Sequence, residues 1–377
     1  MSSYKSFDPK VKNSLQEFES KFSRLKHKNL VLYGLGPLTK KIIDHALGYK
    51  IVGLMHNNEN FIGSYFYNKK ILSVNQIKKI KPVIIIATNK KNTAAQIFEE
   101  IKYLKKNNIS IYLSNGKIAK SEEHNVHEFQ KKISEFNIEK IKEKILKHDI
   151  ISFDLYDTLI TRKIINPHEI FDLIEKKINS KFSRNIKYAV KRIECENECF
   201  IEHSHNFNID DIYKKLGKKL RVNKNILSFI KKTELDTEYK ITQPRKKIID
   251  LYNFSIKKGK NVNIISDMYL DNQSVKKILK KNKIKNYKNL LISGEIKKNK
   301  LDGTMFSYFK NIQKGKKYLH IGDDYNSDIV KAKQNKINSI KVLSIRELSS
   351  HFAFLNHLNN IKKNIADKIV FGLILNK

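Results

Sequence analysis

Two aspartates follow a short apolar run in the segment ISFDLYDTLITR, which covers residues 151–162. A buried strand favours apolar side chains, and carboxylates next to such a strand are costly unless something binds them. Asp154 and Asp157 stand where this run gives way to polar residues, as at the end of a strand. The pair is therefore the first indication of a functional site.

Polar residues also follow three later apolar runs. Ligands of an open parallel sheet bind at the carboxyl ends of its strands, so these residues are expected to converge. Five or six carboxylates, together with a hydroxyl group and a lysine, would repel one another without a cation. Mg²⁺ prefers hard oxygen ligands, and a bridging phosphate would complete the charge balance. The candidate residues are Asp154, Asp157, Thr158, Ser266, Asp267, Lys300, Asp323, Asp324 and Asp328.

The elements that must position these residues alternate between apolar runs and helical periodicity, which predicts parallel, doubly wound α/β sheets. The strand before Asp154 and the next clear strand, at 261–270, are too far apart for one strand–helix–strand unit, which needs about 30 residues. The excess is helical in pattern and is predicted to be an insertion. The predicted divisions are an N-terminal helix (1–27), a Rossmann-like domain (28–116), a helical linker (117–148), an α/β core (149–164 and 246–345), a helical cap (165–245) and a C-terminal helical segment (346–377).

Composition narrows the class of protein. A chain of 377 residues with 40% apolar content can form two or three domains with a sizeable core. No apolar run reaches the length of a membrane span, the first residues lack a signal-peptide core, and only two cysteines occur, so we expect a cytoplasmic protein.

The formal net charge of +37 favours anionic partners. The lysines are spread along the whole chain, however, and no zinc-finger spacing or aromatic RNA-binding signature accompanies them. We therefore expect a small phosphorylated metabolite or a nucleotide-sugar-linked intermediate as partner rather than nucleic acid. The sequence does not indicate an oligomeric state.

Four motifs in order resemble those of the haloacid dehalogenase (HAD) superfamily. They are FDLYDTL, IISD, the lysine of KNKLDG, and IGDDYNSD, and the resemblance covers residues 149–345. The long gap between the first and second motifs is similar to that of members with a helical cap inserted after the first strand. The resemblance implies a HAD-type Rossmannoid αβα core and a phosphatase activity that depends on Mg²⁺.

The resemblance also implies a role for each acidic residue. Asp154 would be the nucleophile that forms an aspartyl-phosphate. Asp154, the backbone carbonyl of Tyr156 and Asp323 would hold Mg²⁺, and Asp328 or Asp324 would support the ion through water.

The remaining residues would contact the phosphoryl group. Ser266 would bind the phosphoryl oxygens, and Lys300 would neutralise the charge of nucleophile and phosphate. Thr158 and Asp267 complete the expected phosphate-binding set. Two neighbouring lysines compete with Lys300 for its role, Lys297 and Lys298.

One departure from the family pattern concerns the proton donor. HAD phosphatases usually carry a second aspartate two residues after the nucleophile, and here Tyr156 takes that position. Asp157 stands where glycine is usual, so the proton could come from Asp157, from a cap residue or from solvent, and Asp157 could instead cap the turn. Haloacid dehalogenases carry tyrosine at the same position, which makes carbon–halogen hydrolysis an alternative. Those enzymes work without metal, however, and the acidic IGDD segment would then be unexplained.

The sequences of the motifs resemble one subgroup of this superfamily more closely, as does the EL-x-x-E pattern that contains Glu234 and Glu238. Its members are predicted HAD hydrolases of bacterial capsule and surface-polysaccharide gene clusters. This resemblance implies a phosphorylated intermediate of glycan assembly, either a sugar phosphate or an amino-alcohol phosphate. A non-catalytic nucleotide-sugar-binding partner that keeps the HAD frame is the alternative from another class.

The segment GLGPLT in the first predicted domain is a weaker signal. Gly34 and Gly36 follow a strand and precede a helix, as in dinucleotide-binding sites, but Thr39 replaces the third glycine. The second strand ends in Asn57 and Asn58, without the acidic residue that binds ribose. A nucleotide contact and a plain tight turn both remain open.

Overall fold

The computed structural model describes residues 18–46, 48–89, 91–121, 137–164, 166–313 and 315–351. These residues form two compact units, the first holding the residues up to 121 with Val190–Glu198 and the second holding the others. Most of the predicted terminal helical segments, 1–27 and 346–377, lies outside the described residues. In the part of the chain that is described, no helix is long and apolar enough to cross a lipid bilayer.

The first unit is built on a four-stranded parallel sheet. Its elements are β1 (Asn29–Tyr33), α1 (Pro37–His45), β2 (Lys50–Met55), the antiparallel pair β3 (Tyr65–Phe66) and β4 (Lys69–Lys70), α2 (Val74–Ile80), β5 (Val83–Ile86), α3 (Lys91–Ile101) and β6 (Ile111–Leu113). The sheet order is β2-β1-β5-β6. The central strands consist almost wholly of buried aliphatic residues, as strands covered on both faces require.

The second unit contains a five-stranded parallel sheet and a two-stranded antiparallel ribbon. The strands are β7 (Ile150–Phe153), β8 (Ile160–Arg162), β9 (Thr242–Pro244), β10 (Asn261–Ser266), β11 (Asn289–Ile292), β12 (Tyr318–Gly322) and β13 (Asn338–Lys341). The large sheet has the order β11-β10-β7-β12-β13, and β8 pairs with β9 in the ribbon. The predicted α/β class with parallel sheets is therefore confirmed.

The helices of the described chain from 137 onward fall into a group between β8 and β9 and a group around the five-stranded sheet. The first group is α5 (Glu169–Phe182), α6 (Tyr188–His203), α7 (Ile209–Leu220) and α8 (Lys224–Ile241), and the second is α4 (Ile138–Leu146), α9 (Lys246–Lys257), α10 (Asn272–Lys281), α11 (Ser293–Ile296), α12 (Thr304–Ile312), α13 (Lys331–Gln334) and α14 (Ile345–His351). The first group occupies the segment predicted as a helical cap. The ribbon joins the two ends of this segment, with Arg162 opposite Thr242.

Buried apolar side chains fix the five-stranded sheet against its helices. The central strand β7 is completely buried, which explains its apolar sequence IISF. One core cluster joins strand residues to the aromatic residues of α12, because the helix presents them on one face. Its members are Ile150, Ile265, Leu291, Met305, Phe306, Phe309, Tyr318, Ala332 and Ile337. This packing holds the strand ends of the sheet in fixed register.

Candidate active site

The ends of three neighbouring strands bring the predicted site residues to one edge of the second sheet. β7 lies between β10 and β12, and Phe153 at its end is opposite Ile264 and Ile321. Asp154 donates its backbone N–H to the carbonyl of Ile321 at 2.9 Å, which extends this pairing beyond the strand. The loops that follow the three strands therefore meet at the same place.

Three carboxylates from two of these loops form a compact group. Oxygen atoms of Asp154, Asp323 and Asp328 all lie within 4.8 Å of one another. Opposite ligands of an octahedral Mg²⁺ are about 4.2 Å apart, since each bond is about 2.1 Å long. Asp154 and Asp328 are buried, and Thr158 donates its hydroxyl to Asp323 at 3.2 Å. Oxygen donors at this spacing are suited to a divalent cation.

The positively charged side chain of Lys300 lies next to two of these acids, Asp154 and Asp328. Its Nζ donates to Oδ1 of Asp154 and to Oδ1 of Asp328, each at 2.5 Å, and the side chain is only 3% exposed. Burial by itself lowers the pKa of Lys300, but the charges of Asp154, Asp328 and Asp267 outweigh it and raise this pKa well above its usual range. Lys300 therefore stays charged. Its competitor Lys297 is half exposed, with its Nζ 3.7 Å from Asp211.

The loop that carries Lys300 is held by Asp267. Both carboxylate oxygens of Asp267 accept from the backbone N–H of Lys300, at 2.8 and 3.0 Å, and one also accepts from that of Leu301 at 3.2 Å. Asp267 thus links the end of β10 to the loop after β11. In this geometry its carboxylate positions Lys300, and its part in phosphate binding stays a prediction.

The electrostatics of the three acids differ because only one of them is well compensated. Burial raises the pKa of Asp154 to about 7, and Lys300 opposes this only in part. Burial, followed by the charges of Asp157, Asp154 and Asp328, raises the pKa of Asp323 well above its usual range. Burial also acts to raise the pKa of Asp328, but Lys300 and His320 outweigh it and hold this pKa below its usual range. One lysine cannot neutralise three neighbouring carboxylates, two of them buried, whereas a divalent cation together with Lys300 would.

Asp328 is fixed from behind by residues of β7 and β12. Nε2 of His320 lies 3.1 Å from Oδ1 of Asp328, and Nδ1 of the same ring lies 2.8 Å from the hydroxyl of Ser152. Gly322 makes room for the arrangement, because a β-carbon there would overlap the Asp328 carboxyl group. The sequence pattern did not identify His320 or Ser152, since both sit inside apolar strands and contact each other only across the sheet.

The turn after Asp154 is built around Asp157. Asp157 has a φ of +58°, the left-handed region that favours glycine, and its carboxylate accepts from the hydroxyl of Thr161 at 3.0 Å. Its backbone carbonyl accepts from the guanidinium of Arg245, and the Arg245 backbone N–H donates to Leu159. These bonds fix the turn in place, while a role for Asp157 in proton transfer stays a prediction.

The remaining predicted residues occupy different surroundings. Ser266 is buried at the end of β10. The carboxylate of Asp324 accepts from the backbone N–H groups of Asn326 and Ser327 and so caps the helical turn that contains Asp328. The carboxylate that lies beside those of Asp154 and Asp323 is therefore that of Asp328 and not that of Asp324.

The glycine turn of the first unit is tightly bonded within that unit. Gly34 has a φ of +119°, and its carbonyl accepts from the hydroxyl of Thr39 at 2.8 Å. The carbonyl of Leu35 accepts from the side-chain amide of Asn197 at 2.5 Å. Gly36 immediately precedes α1. A nucleotide contact at this turn stays a prediction.

Comparison with solved structures finds partial likenesses. YfnB from Bacillus subtilis, a candidate HAD-hydrolase in a magnesium-bound crystal form, matches at 15% identity and a TM-score of 0.37, over 55% of this chain and 99% of that one. A 2-haloacid dehalogenase from Pseudomonas syringae pv. Tomato DC3000 matches at 14% and 0.41, over 52% and 86%. A HAD phosphatase from Thermococcus onnurineus matches at 14% and 0.36, over 52% and 86%.

These structural neighbours include both phosphatases and dehalogenases, at low identity and over about half of this chain. No protein-family model matches the chain, and no curated protein matches its sequence. The function proposed below therefore rests on the geometry of the site and on the motifs.

Proposed function

We propose that this protein is a HAD-type phosphomonoester hydrolase that depends on Mg²⁺ and works through an aspartyl-phosphate. The observation that carries the proposal is the group of Asp154, Asp323 and Asp328 at one sheet edge, with Lys300 paired to the two buried members, Asp154 and Asp328. Three carboxylates and one ammonium group would carry excess negative charge if every carboxylate were ionised, which the raised pKa values of Asp154 and Asp323 disfavour. A divalent cation would reverse that balance, and the four ordered motifs support the same function.

Asp154, Asp323 and Asp328 would hold the metal ion, and the backbone carbonyl of Tyr156 would add a further oxygen. When bound, Mg²⁺ would supply positive charge against the phosphoryl oxygens. Lys300 would share this task, because its ammonium group already lies 2.5 Å from the nucleophile. A preorganised cation beside the reacting atoms stabilises the charge of the transition state without rearranging at the moment of reaction.

The reaction would proceed in two steps. A carboxylate oxygen of Asp154 attacks phosphorus, the ester P–O bond breaks, and the departing alcohol oxygen takes a proton. A water molecule then attacks the phosphorus of the aspartyl-phosphate, which releases inorganic phosphate and restores the carboxylate. Ser266 and Thr158 would bind phosphoryl oxygens, and Asp157 or solvent would deliver the first proton.

The substrate proposed from the motif resemblance is a sugar phosphate or an amino-alcohol phosphate of surface-polysaccharide assembly. A cytoplasmic location would place the enzyme where such intermediates are made. The cluster of acids and Lys300 fits any phosphomonoester, because it addresses only the phosphoryl group. Selection among esters must come from residues outside that cluster.

The first prediction concerns the reaction itself. The purified protein should release inorganic phosphate from at least one member of a panel of sugar, polyol and amino-alcohol phosphates. Release should require Mg²⁺ and stop in EDTA, because without the ion the carboxyl groups are partly protonated and poor nucleophiles, and those that are ionised repel the phosphate dianion. A colorimetric phosphate assay with and without Mg²⁺ measures both effects.

The same panel separates the alternatives. Halide release from 2-haloacids without metal, with no phosphate release, would favour the dehalogenase that Tyr156 suggests. An inert protein that binds nucleotide sugars would favour a non-catalytic partner. Either result would overturn the phosphatase proposal.

A second prediction concerns metal binding and pH. The unfolded chain loses the Asp154 proton near pH 4, whereas burial holds the folded pKa at about 7. Metal-free stability should therefore fall as pH rises through this window, and Mg²⁺ should restore it by replacing the proton. Saturation at a hundredfold excess over Kd corresponds to about 2.7 kcal/mol. Thermal unfolding should thus show a larger Mg²⁺-induced rise in Tm at pH 8 than at pH 5.5.

Two variants test whether the proposed ligands cause this effect. Asp323→Asn should remove most of the Mg²⁺-induced rise in Tm. Asp210→Asn is the matched control, since its carboxylate is exposed and pairs with Lys231 on the surface. An equal rise in both variants would place the metal elsewhere.

A further inference from the structure

A second polar cluster lies beside the turn that carries Asp154 and consists of Tyr156, Arg162 and Glu238. The guanidinium carbon of Arg162 is 4.3 Å from the centre of the Tyr156 ring, which is a stacked cation–π contact. Nη2 of Arg162 is 2.8 Å from Oε1 of Glu238. The side chains of Arg162 and Glu238 are 13% and 3% exposed, so the pair is withdrawn from bulk solvent.

The fold ties this cluster to the catalytic turn from both directions. Tyr156 lies two residues after Asp154, and it bridges to Ile160 at the start of β8. Arg162 ends β8, and Glu238 lies in the last turn of α8, just before β9. The cluster therefore stands where the chain enters and leaves the helical segment.

Several polar atoms of the cluster are buried without a satisfactory partner. Within the described residues, the Tyr156 hydroxyl and Nε of Arg162 make no well-aligned hydrogen bond, although the Glu238 carboxylate lies near both side chains. Oε1 of Glu238 is close to Arg162 but makes no well-aligned hydrogen bond there. Buried polar groups in folded proteins are nearly always satisfied, so these open donors and this open acceptor are available to an ordered water molecule or to the polar groups of a ligand.

The charges of the cluster restrict the ligand. A phenol keeps its proton at neutral pH, so the Tyr156 hydroxyl can donate a hydrogen bond. The guanidinium and carboxylate cancel each other, so neither an additional anion nor a cation gains a net attraction. Hydroxyl groups both donate and accept, and they match two donors and one acceptor.

We propose that Tyr156, Arg162 and Glu238 form a subsite for the leaving group and bind the neutral, hydroxyl-bearing part of a polyol or sugar phosphate. This inference rests on the proposed phosphatase function. It selects sugar or polyol phosphates over amino-alcohol phosphates, because the Glu238 carboxylate is already paired and offers no free negative charge to an ammonium group.

The test compares esters that share a phosphoryl group and differ only in their hydroxyl groups. The probes are glycerol 3-phosphate, n-propyl phosphate and phosphoethanolamine, each assayed by phosphate release with Mg²⁺. The wild type should have a kcat/KM for glycerol 3-phosphate at least about tenfold above those for the other two, because unmade hydrogen bonds to buried groups are costly.

Tyr156→Phe is the most informative variant. It removes a hydroxyl that makes no well-aligned hydrogen bond in the free protein, so the Tm should change little. The preference for glycerol 3-phosphate over n-propyl phosphate should fall about tenfold, as expected for one lost hydrogen bond to a ligand. A purely structural tyrosine would show neither the selective loss nor the unchanged Tm.

A second change tests the ion pair without leaving one charge buried alone. The double variant Arg162→Met with Glu238→Met removes both charges, because single replacements would leave an uncompensated charge. It should lower the same preference while the protein still folds, as judged by circular dichroism and Tm.

The outcomes separate this inference from the function on which it rests. Phosphate release without a hydroxyl preference, or with a preference that survives both variants, would overturn the subsite and leave the phosphatase intact. A higher kcat/KM for phosphoethanolamine would also overturn it. No phosphate release from any ester would overturn the phosphatase and the subsite together.

Discussion

Replacing Asp154 with asparagine is expected to lower phosphate release by at least about 10⁴-fold, because an amide cannot attack phosphorus as a carboxylate does. The change is nearly isosteric, and the folded protein should persist. Burial works against the charge of Asp154, and Lys300 keeps Asp328 as its ion-pair partner, so losing the Asp154 charge should change the Tm measured without metal only slightly. Phosphate release under saturating Mg²⁺ and substrate, together with Tm, gives both results.

A direct view of the intermediate makes this prediction sharper. Wild-type protein quenched in acid during turnover should gain the mass of one phosphoryl group, located by peptide mapping to the segment that holds Asp154. Asp154→Asn should gain none. Asp210→Asn, an exposed replacement of the same kind, should retain full activity and labelling. Unchanged turnover in Asp154→Asn would exclude this residue as the nucleophile.

The framework of the site could be predicted from sequence because the end of each strand is marked by a change from apolar to polar residues. Apolar runs that stop at Asp154, Ser266 and Asp323 imply a parallel sheet whose polar ends converge, and the observed order of β10, β7 and β12 brings these ends together. Strand periodicity is a local property, so one sequence suffices to read it. The confirmed α/β class follows from the same local signal.

The partners of individual side chains in the site could not be predicted from the sequence, because they depend on contacts between distant segments. The sequence does not distinguish the roles of the adjacent residues Asp323 and Asp324. In the structure the Asp324 carboxylate accepts from backbone N–H groups that follow it and caps the helical turn. Glu238 reaches Arg162 only because β8 and β9 pair across the whole helical segment. Asp267 could be noticed as an acid at a strand end, but its use in holding the Lys300 backbone requires the folded loop.

Replacing Lys300 with methionine should have the second largest effect, on stability as well as on activity. Its Nζ neutralises two buried carboxylates, those of Asp154 and Asp328, and removing one partner of a buried ion pair costs about 3–5 kcal/mol. Phosphate release should fall by about 10²–10³-fold, since one preorganised charge is lost beside the transferring group. Urea unfolding in EDTA and phosphate release measure the two effects separately.

The pH dependence of this loss identifies its cause. Burial alone would raise the pKa of Asp328, and Lys300 is the largest influence that holds it down. The pair therefore stabilises the wild type above about pH 4, the unfolded value, and this stabilisation fades only as pH falls through the lower folded pKa. The destabilisation by Lys300→Met should be largest at neutral pH in EDTA and smaller near pH 4, because the variant's buried carboxylates, no longer compensated by Lys300, have raised pKa values and take up protons there. Lys297→Met, at a half-exposed lysine of the same loop, should show neither effect. A loss independent of pH and of Mg²⁺ would mean that Lys300 acts through packing and not through its charge.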